Sequence, residues 1–117
     1  MVKIGSSMEP RIYEACCGGQ GIAEVIDLLT QGEVYRQLDT LAFATLLPGN
    51  SIGEHMHTDE MEAYVILKGK GIFCDNGTDV LVEPMDVTIT YSGETHSIRP
   101  APDSQEPLEL MAVIIKR

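Results

Sequence analysis

Apolar and polar residues alternate in short segments along the chain from Leu41 to its carboxyl end. These segments are rich in β-branched and aromatic residues and end at glycine, proline, asparagine or aspartate, which is typical of strands. Signals for helices are few, so the pattern predicts an all-β domain. The predicted strands are Leu41–Leu47, Ile52–His57, Met61–Leu67, Gly71–Cys74, Thr78–Val82, Val87–Tyr91, Thr95–Arg99 and Leu108–Ile115.

The clearest turn signal is Asn76-Gly77, between the predicted strands Gly71–Cys74 and Thr78–Val82. Both central residues of a type I′ turn need a positive φ, which asparagine and glycine tolerate. Pro84-Met85-Asp86 predicts a second turn, and a polar loop from Pro100 to Pro107 precedes the last strand. This punctuation supports a compact, antiparallel β domain.

The first forty residues carry a weaker pattern. Ile22 to Leu29 fits a helix, with Ile22, Val25, Ile26 and Leu29 on one face, and it also fits a strand, with Ile22, Ile26 and Leu28 on one face. We favour the strand. The chain shows no internal repeat or linker, so we expect one structural domain made of an amino-terminal arm (1–40) and a β domain (41–117).

Composition excludes several classes of function. The 117 residues include 18 acidic and eight basic side chains, for a formal charge of -10 that repels nucleic acids and anionic membrane surfaces. The amino end lacks a secretory signal, and no apolar run is long enough to span a bilayer, so we expect a cytoplasmic protein. Cys16 and Cys17 are adjacent and Cys74 lies in a predicted strand, which favours free thiols over a disulfide framework.

All three histidines of the chain fall at spacings suited to a metal site. His55 and His57 share one face of a strand, because side chains two apart point the same way. If the turn at residues 58–60 folds the next strand back beside the first, Glu62 faces both imidazoles. Two histidines and a carboxylate on one face form a common transition-metal ligand set, and His96 would make a fourth ligand.

Two other acidic residues near the histidines are weaker candidates. Glu60 is the main competitor to Glu62 as the carboxylate ligand, but its place in the turn favours solvent. Glu54 is adjacent to His55, so it should face away from the site and carry a surface charge.

From Leu41 to Ile115 the chain resembles the cupin superfamily, whose first motif is G(X)5HXH(X)3-4E(X)6G. Gly49, His55, His57, Glu62 and Gly69 match every fixed position of this motif. The second motif, G(X)5PXG(X)2H(X)3N, is met only in part. Gly93 and His96 match it, whereas Met85, Tyr91 and Pro100 replace its usual glycine, proline and asparagine.

The resemblance implies a single jelly-roll β-barrel that binds one divalent transition-metal ion through His55, His57, Glu62 and His96. Iron, manganese, nickel and zinc all accept these ligands. It also implies a homodimer, with the amino-terminal arm packed on the barrel or across a partner subunit. Such a metal centre leaves a formal excess of one positive charge, which favours a small anionic ligand.

Three function classes fit this site. The first is a mononuclear metal-dependent enzyme, of the dioxygenase, decarboxylase or isomerase type, acting on a small anionic or oxygen-chelating metabolite. The second is a module that binds or senses a small anion or sugar without turnover. The third is a structural ion, although a jelly-roll core should fold without one.

The remaining side chains near the histidines have structural interpretations first. Tyr64 and Tyr91 are candidate catalytic residues, because a phenol near a metal can donate a proton or a hydrogen bond. Arg99 should face outward by strand alternation, away from any bound carboxylate. A larger set is expected to form the core rather than to contact a ligand: Phe43, Met56, Tyr64, Ile66, Tyr91, Ile98 and Met111.

Overall fold

The computed structural model describes residues 1–117, and its regular structure is almost entirely β, as the sequence predicted. The predicted strand ends agree with the structure to within three residues. Two short 3₁₀ turns, Gly5–Ser7 and Cys16–Gly18, are the only helical segments, and neither is long and apolar enough to cross a membrane. The strands are β1 (Arg11–Glu14), β2 (Ile22–Asp27), β3 (Leu38–Leu46), β4 (Ile52–Met56), β5 (Glu60–Lys68), β6 (Gly71–Asp75), β7 (Thr78–Val82), β8 (Val87–Thr90), β9 (Thr95–Pro100) and β10 (Leu108–Lys116).

The strands form two antiparallel sheets that enclose one core. The six-stranded sheet has the order β1-β2-β3-β10-β5-β8, and the four-stranded sheet has the order β4-β9-β6-β7. Several neighbouring strands come from distant parts of the chain, as in a jelly roll; β10 lies between β3 and β5, and β9 lies between β4 and β6. The predicted hairpin joins β6 to β7, and Asn76 and Gly77 have φ values of 49° and 90°.

The strand that carries Glu62 does not pair with the strand that carries His55, contrary to expectation. Strand β4 pairs with β9, whereas β5 pairs with β10 and β8 in the opposite sheet. The chain crosses between the sheets at Thr58-Asp59, where Asp59 has a φ of 58°. Glu62 therefore reaches the histidines across the barrel interior, although the predicted face of β5 is correct, because Glu62, Tyr64 and Ile66 all point inward.

The core contains some of the residues expected there and excludes others. Tyr64, Ile66 and Ile98 are almost completely buried. Phe43 and Met111 are only half-buried. The prediction that Met56 and Tyr91 belong to the core is wrong, because 57% of each residue is exposed.

The reason for the error at Tyr91 lies in strand β8. Its inward residues are Thr88 and Thr90, whereas the apolar Val87 and Ile89 point outward. The side chain of Tyr91 continues the outward series beyond the end of the strand. The apolar face of this strand is therefore its solvent face.

The amino-terminal arm extends the larger sheet. The segment that fitted both a helix and a strand is strand β2, which pairs with β3, while β1 pairs with β2 at the sheet edge. The 3₁₀ turn Cys16–Gly18, which follows β1, packs directly on β4. The contact is so close that a Cβ atom at Gly53 would lie only 2.3 Å from the carbonyl oxygen of Cys17. Only glycine at position 53 allows this close approach.

Candidate metal centre

Four side chains converge inside the barrel: His55, His57, Glu62 and His96. The Nε2 atom of His96 lies 3.1 Å from the Nε2 atoms of both His55 and His57. Oε1 of Glu62 lies 3.0 Å from Nε2 of His57 and of His96, and 4.0 Å from Nε2 of His55. His57, Glu62 and His96 are buried, and His55 is half-buried. The predicted ligand set is therefore assembled.

Three separate elements bring these side chains together. His55 and His96 occupy paired positions on neighbouring strands β4 and β9. His57 follows the end of β4, and Glu62 comes from β5 in the other sheet. The smaller sheet and its end thus supply the imidazoles, and the larger sheet supplies the carboxylate.

Hydrogen bonds at the opposite ring atoms orient the imidazoles. Nδ1 of His55 donates to the carbonyl oxygen of Gly53, and Nδ1 of His57 donates to Oε1 of Glu60, each at 2.8 Å. A carbonyl and a carboxylate can only accept, so Nδ1 carries a proton in both rings, and the neutral form of each ring has its lone pair on Nε2. His96 Nδ1 shares a hydrogen bond of 2.8 Å with Oγ1 of Thr90. Such partners are typical of metal-binding histidines.

The resulting cluster contains more acceptors than protons. With Nδ1 protonated, the lone pairs of His55 and His57 and the carboxylate oxygen of Glu62 face one another without a hydrogen between them. The pKa of His55 is lowered mainly by burial and also by the neighbouring His96 and His57. Protonation of His55 to an imidazolium ion is therefore disfavoured as a way to supply the missing hydrogen. A metal cation between these atoms satisfies all of them.

The separations also fit an ion of ordinary size. Ligand atoms about 2.1 Å from a common ion lie about 3.0 Å apart when their bonds are at right angles, and about 4.2 Å apart when they are opposite. The separations of 3.0 and 3.1 Å match adjacent positions, and all four ligand atoms lie within 4.8 Å of one another. The donor set thus fits an octahedral transition-metal ion.

A cavity of about 320 Å³ opens beside the cluster. His55, His57, Glu62 and Tyr64 line its inner end. Much of the remaining wall is aliphatic and comes from the larger sheet, including Ala42, Ala44, Leu110, Ala112 and Ile114. The space is suited to a small ligand that is largely enclosed by apolar groups.

The amino-terminal arm supplies the part of the wall that the sequence did not predict. Arg11 and Tyr13 of β1 and Cys16 and Cys17 of the 3₁₀ turn all line the cavity. Arg11 is the only lysine or arginine among the lining residues, and its guanidinium lies 2.6 Å from Asp27. The alternation of Arg11 and Tyr13 was a possible signal, since residues two apart on a strand share a face.

Tyr64, one of the two candidate catalytic tyrosines, lies at the cluster. Its ring stacks on the imidazole of His96 at 5.1 Å with an interplanar angle of 11°. Burial, first, and the adjacent Glu62 raise the pKa of Tyr64 well above its usual value, so the phenol keeps its proton. Tyr64 can therefore donate a hydrogen bond but cannot serve as a base.

The structure does not bring Tyr91, the other candidate, to this cavity. Tyr91 lines a separate surface depression with Met61 and Ser92. Its exposed position follows from the outward series on β8.

The remaining predictions for charged residues are mixed. Glu54 is exposed, and Arg99 points outward, 3.7 Å from Asp79, as expected. The prediction that Glu60 faces solvent is wrong, because its carboxylate accepts the hydrogen bond from His57 and its side chain is only 24% exposed. Glu60 begins β5 and lies three residues after His57, a spacing within side-chain reach.

The three cysteines are free thiols, as the sequence predicted. Burial, first, and the neighbouring Cys17 raise the pKa of Cys16 to about 11. Because a thiolate and not a thiol is the nucleophile, Cys16 is poorly suited to nucleophilic catalysis.

Comparisons with known proteins agree with this architecture. The oxalate-binding protein of Thermotoga maritima is 40% identical over 115 residues, which cover 98% of this chain and 93% of that protein. A crystal structure described as a predicted oxalate decarboxylase, also from Thermotoga maritima, superposes with a TM-score of 0.94 at 39% identity and covers 100% of both chains. KdgF from Halomonas sp. superposes with a TM-score of 0.78, over 97% of this chain and 91% of that one, at 10% identity, which shows the fold alone.

The match to a protein family is direct. The family model described as Cupin domain matches residues 42–114, which include all four clustered side chains and six of the ten strands in full. The chain therefore belongs to the cupin family.

Proposed function

We propose that this protein is a mononuclear metal-binding cupin that binds a small chelating dicarboxylate of the oxalate class. The observation that carries the proposal is the convergence of three imidazole Nε2 atoms and one carboxylate oxygen on a single point. The metal is a divalent transition ion, of which iron, manganese, nickel and zinc all suit these ligands. When bound, the ion supplies positive charge and Lewis acidity at the inner end of the cavity.

Charge favours an anionic ligand at this point. Three neutral imidazoles and one carboxylate around a divalent ion leave a net charge of one positive unit in a mostly apolar cavity. Nε2 of His57, Nε2 of His96 and Oε1 of Glu62 lie 3.0 or 3.1 Å from one another, and Nε2 of His55 lies 3.1 Å from that of His96, so these atoms would occupy adjacent positions around an ion. In an octahedral arrangement the two free positions are then adjacent as well, which suits a ligand that chelates through two oxygens.

Arg11 supports a second anionic group on the ligand. It is the only side chain with a permanent positive charge in the cavity wall, and it lies on the strand contributed by the amino-terminal arm. Its ion pair with Asp27 orients the guanidinium but leaves the side chain 55% exposed. Guanidinium groups bind carboxylate oxygens through paired hydrogen bonds, so Arg11 is suited to the ligand oxygens that do not face the metal.

The relatives support the same ligand class. The protein that is 40% identical over nearly the whole chain is named an oxalate-binding protein. At this level of identity and coverage the fold is shared, while the ligand itself is our proposal. The homodimer implied by the cupin resemblance also stays a prediction, which light scattering would test.

Turnover is the second candidate function, and Tyr64 is the observation that favours it. Its protonated phenol lies against His96 and beside Glu62, where it can donate to an oxygen of a bound anion. Such a donor would assist a decarboxylase, dioxygenase or isomerase by stabilising negative charge. Glu60 and Glu62 are both engaged with the histidines, so neither is a free acid or base.

The experiment separates metal binding, anion binding and turnover. Protein prepared with chelator and then loaded with Mn²⁺ should bind about one ion per chain and bind oxalate by calorimetry, whereas the metal-free protein should not. His57→Ala should lose most of the metal and with it the oxalate signal. Equal oxalate binding with and without metal, or none in the loaded protein, refutes the proposal.

Two further measurements extend this experiment. Arg11→Gln should weaken oxalate binding about tenfold, as expected for one charged hydrogen-bonding group, with metal content unchanged. Arg99→Gln is the matched control, since Arg99 also pairs with an aspartate but lies outside the cavity. Release of formate or carbon dioxide from oxalate by the loaded protein would support turnover, and its loss in Tyr64→Phe would assign the donor.

A further inference from the structure

Cys16 and Cys17 point their thiols in the same direction, which adjacent residues seldom do. Their Sγ atoms are 3.9 Å apart. Cys17 adopts a left-handed conformation, with φ 54° and ψ 33°, which is costly for a residue with a side chain. This backbone geometry brings both side chains to the wall of the cavity beside the histidine cluster.

The spacing of the sulfur atoms is that of two ligands on one ion. Sulfur atoms in a disulfide are about 2.05 Å apart, so the pair is far from bonded. Two thiolates bound at about 2.3 Å to a tetrahedral ion lie about 3.8 Å apart. The observed 3.9 Å thus corresponds to a dithiol that is ready to chelate.

The turn that carries the thiols is fixed in place. The amide of Ala15 donates to the carbonyl of Gly21 at 2.8 Å, and the amide of Gly19 donates to the carbonyl of Cys16 at 2.9 Å. Gly19 also packs so closely on β4 that an added Cβ would lie 2.3 Å from the carbonyl oxygen of Ser51. The thiols therefore share a rigid support, while Cys17 is exposed and accessible from solvent.

We propose that Cys16 and Cys17 form a second metal site, which binds a thiophilic d¹⁰ cation of tetrahedral geometry such as Cd²⁺. Binding forms two metal–sulfur bonds and releases the two thiol protons to solvent, with no change in oxidation state. Thiolates select soft ions, whereas the imidazoles and the carboxylate suit harder ones, so the two sites differ in preference. A cation held by the pair occupies the cavity wall and reduces the room for the anionic ligand.

Cadmium titration of the full-length protein tests this site. The His57→Ala background removes the histidine centre as a competitor, so failure of the proposed oxalate function does not affect the outcome. One equivalent of Cd²⁺ should produce the ultraviolet sulfur-to-cadmium charge-transfer band. Cys16→Ser and Cys17→Ser should each abolish the band at one equivalent, and Cys74→Ser, which changes the remaining free thiol on β6, should leave it intact.

X-ray absorption on the cadmium-loaded protein with all three cysteines provides a readout that does not depend on how the serine variants fold. Two sulfur neighbours per cadmium ion are expected. One sulfur neighbour or none would overturn the proposal. A band that survives in Cys17→Ser, or that disappears in Cys74→Ser, would overturn it as well.

Discussion

Glu60 orients His57, a proposed metal ligand, and does not itself belong to the four converging side chains. Its Oε1 accepts the hydrogen bond of 2.8 Å from Nδ1 of His57, whose other nitrogen faces Glu62 and His96. Removing such a partner typically costs about 10- to 100-fold in metal affinity. We therefore predict that Glu60→Ala weakens metal binding by this factor, which corresponds to about 1.4 to 2.8 kcal/mol.

The variant Glu60→Gln divides this effect into its two parts. A glutamine side chain can still accept the hydrogen bond from His57 through its amide oxygen, but it lacks the negative charge that makes the imidazole more basic. Glu60→Gln should therefore lose less affinity than Glu60→Ala. Competition with a chromophoric chelator for Zn²⁺ measures both differences in affinity.

The control for these variants is Glu54→Gln. Glu54 is an exposed carboxylate on strand β4, next to His55 in sequence, and its side chain faces away from the cluster. Its loss changes the net charge by the same amount and should leave the affinity unchanged. Equal affinities of Glu60→Ala and the unaltered protein would refute the assigned role of the carboxylate.

Two more predictions concern stability. If the ion is present at about a thousand times its dissociation constant, its removal by a chelator should lower the apparent free energy of unfolding by about 4 kcal/mol and lower the melting temperature. An unchanged thermal unfolding transition would contradict a tightly held ion. The pKa of Asp39 is lowered mainly by a hydrogen bond from Lys116 and also by one from Thr40. The ionised carboxylate therefore stabilises the fold at pH values above its ordinary pKa, and this contribution is lost as the pH falls through the lowered pKa. Because the Lys116 side chain is 56% exposed, Asp39→Asn should cost at most about 1 kcal/mol at neutral pH, and denaturant titrations should show the difference closing in acid.

The ligand set was predictable because strand alternation is a local property. Residues two apart share a face whatever the topology, so His55 and His57 were placed together, and Glu62 was placed on the inner face of its strand. The route by which Glu62 arrives was not predictable. Pairing between β5 and β10 joins segments far apart in sequence, and nothing in the turn at Thr58-Asp59 distinguishes a hairpin from a crossing between sheets.

On strand β8 the hydrophobic pattern did not predict which residues face the barrel interior. On β8 the inward positions hold Thr88 and Thr90, and Thr90 shares a hydrogen bond with His96. A polar residue is needed there to orient the imidazole, so the apolar Val87 and Ile89 occupy the outer face. The alternation that turns Thr90 towards His96 also turns Tyr91 outward, which is why the prediction for Tyr91 was wrong.

The amino-terminal arm was the part that the sequence left least defined. Its role depends on β1 and the turn Cys16–Gly18 lying against a cavity whose other walls include residues as distant in sequence as Ile114. The alternation of Arg11 and Tyr13 places both residues on one strand face, but it does not indicate that this face meets the cavity, because an arginine on an edge strand is ordinarily a solvated charge.

The two halves of the pocket come from separable stretches of chain. The segment common to cupins, residues 42–114, contains every candidate ligand atom of the histidine centre, whereas the guanidinium and both thiols belong to the first seventeen residues. Exchange of the first seventeen residues between homologues would change which ligands the cavity accepts and would leave the histidine centre unaltered. Diversification of ligand preference in such barrels can thus proceed through an appendage, without risk to the chemistry at the centre.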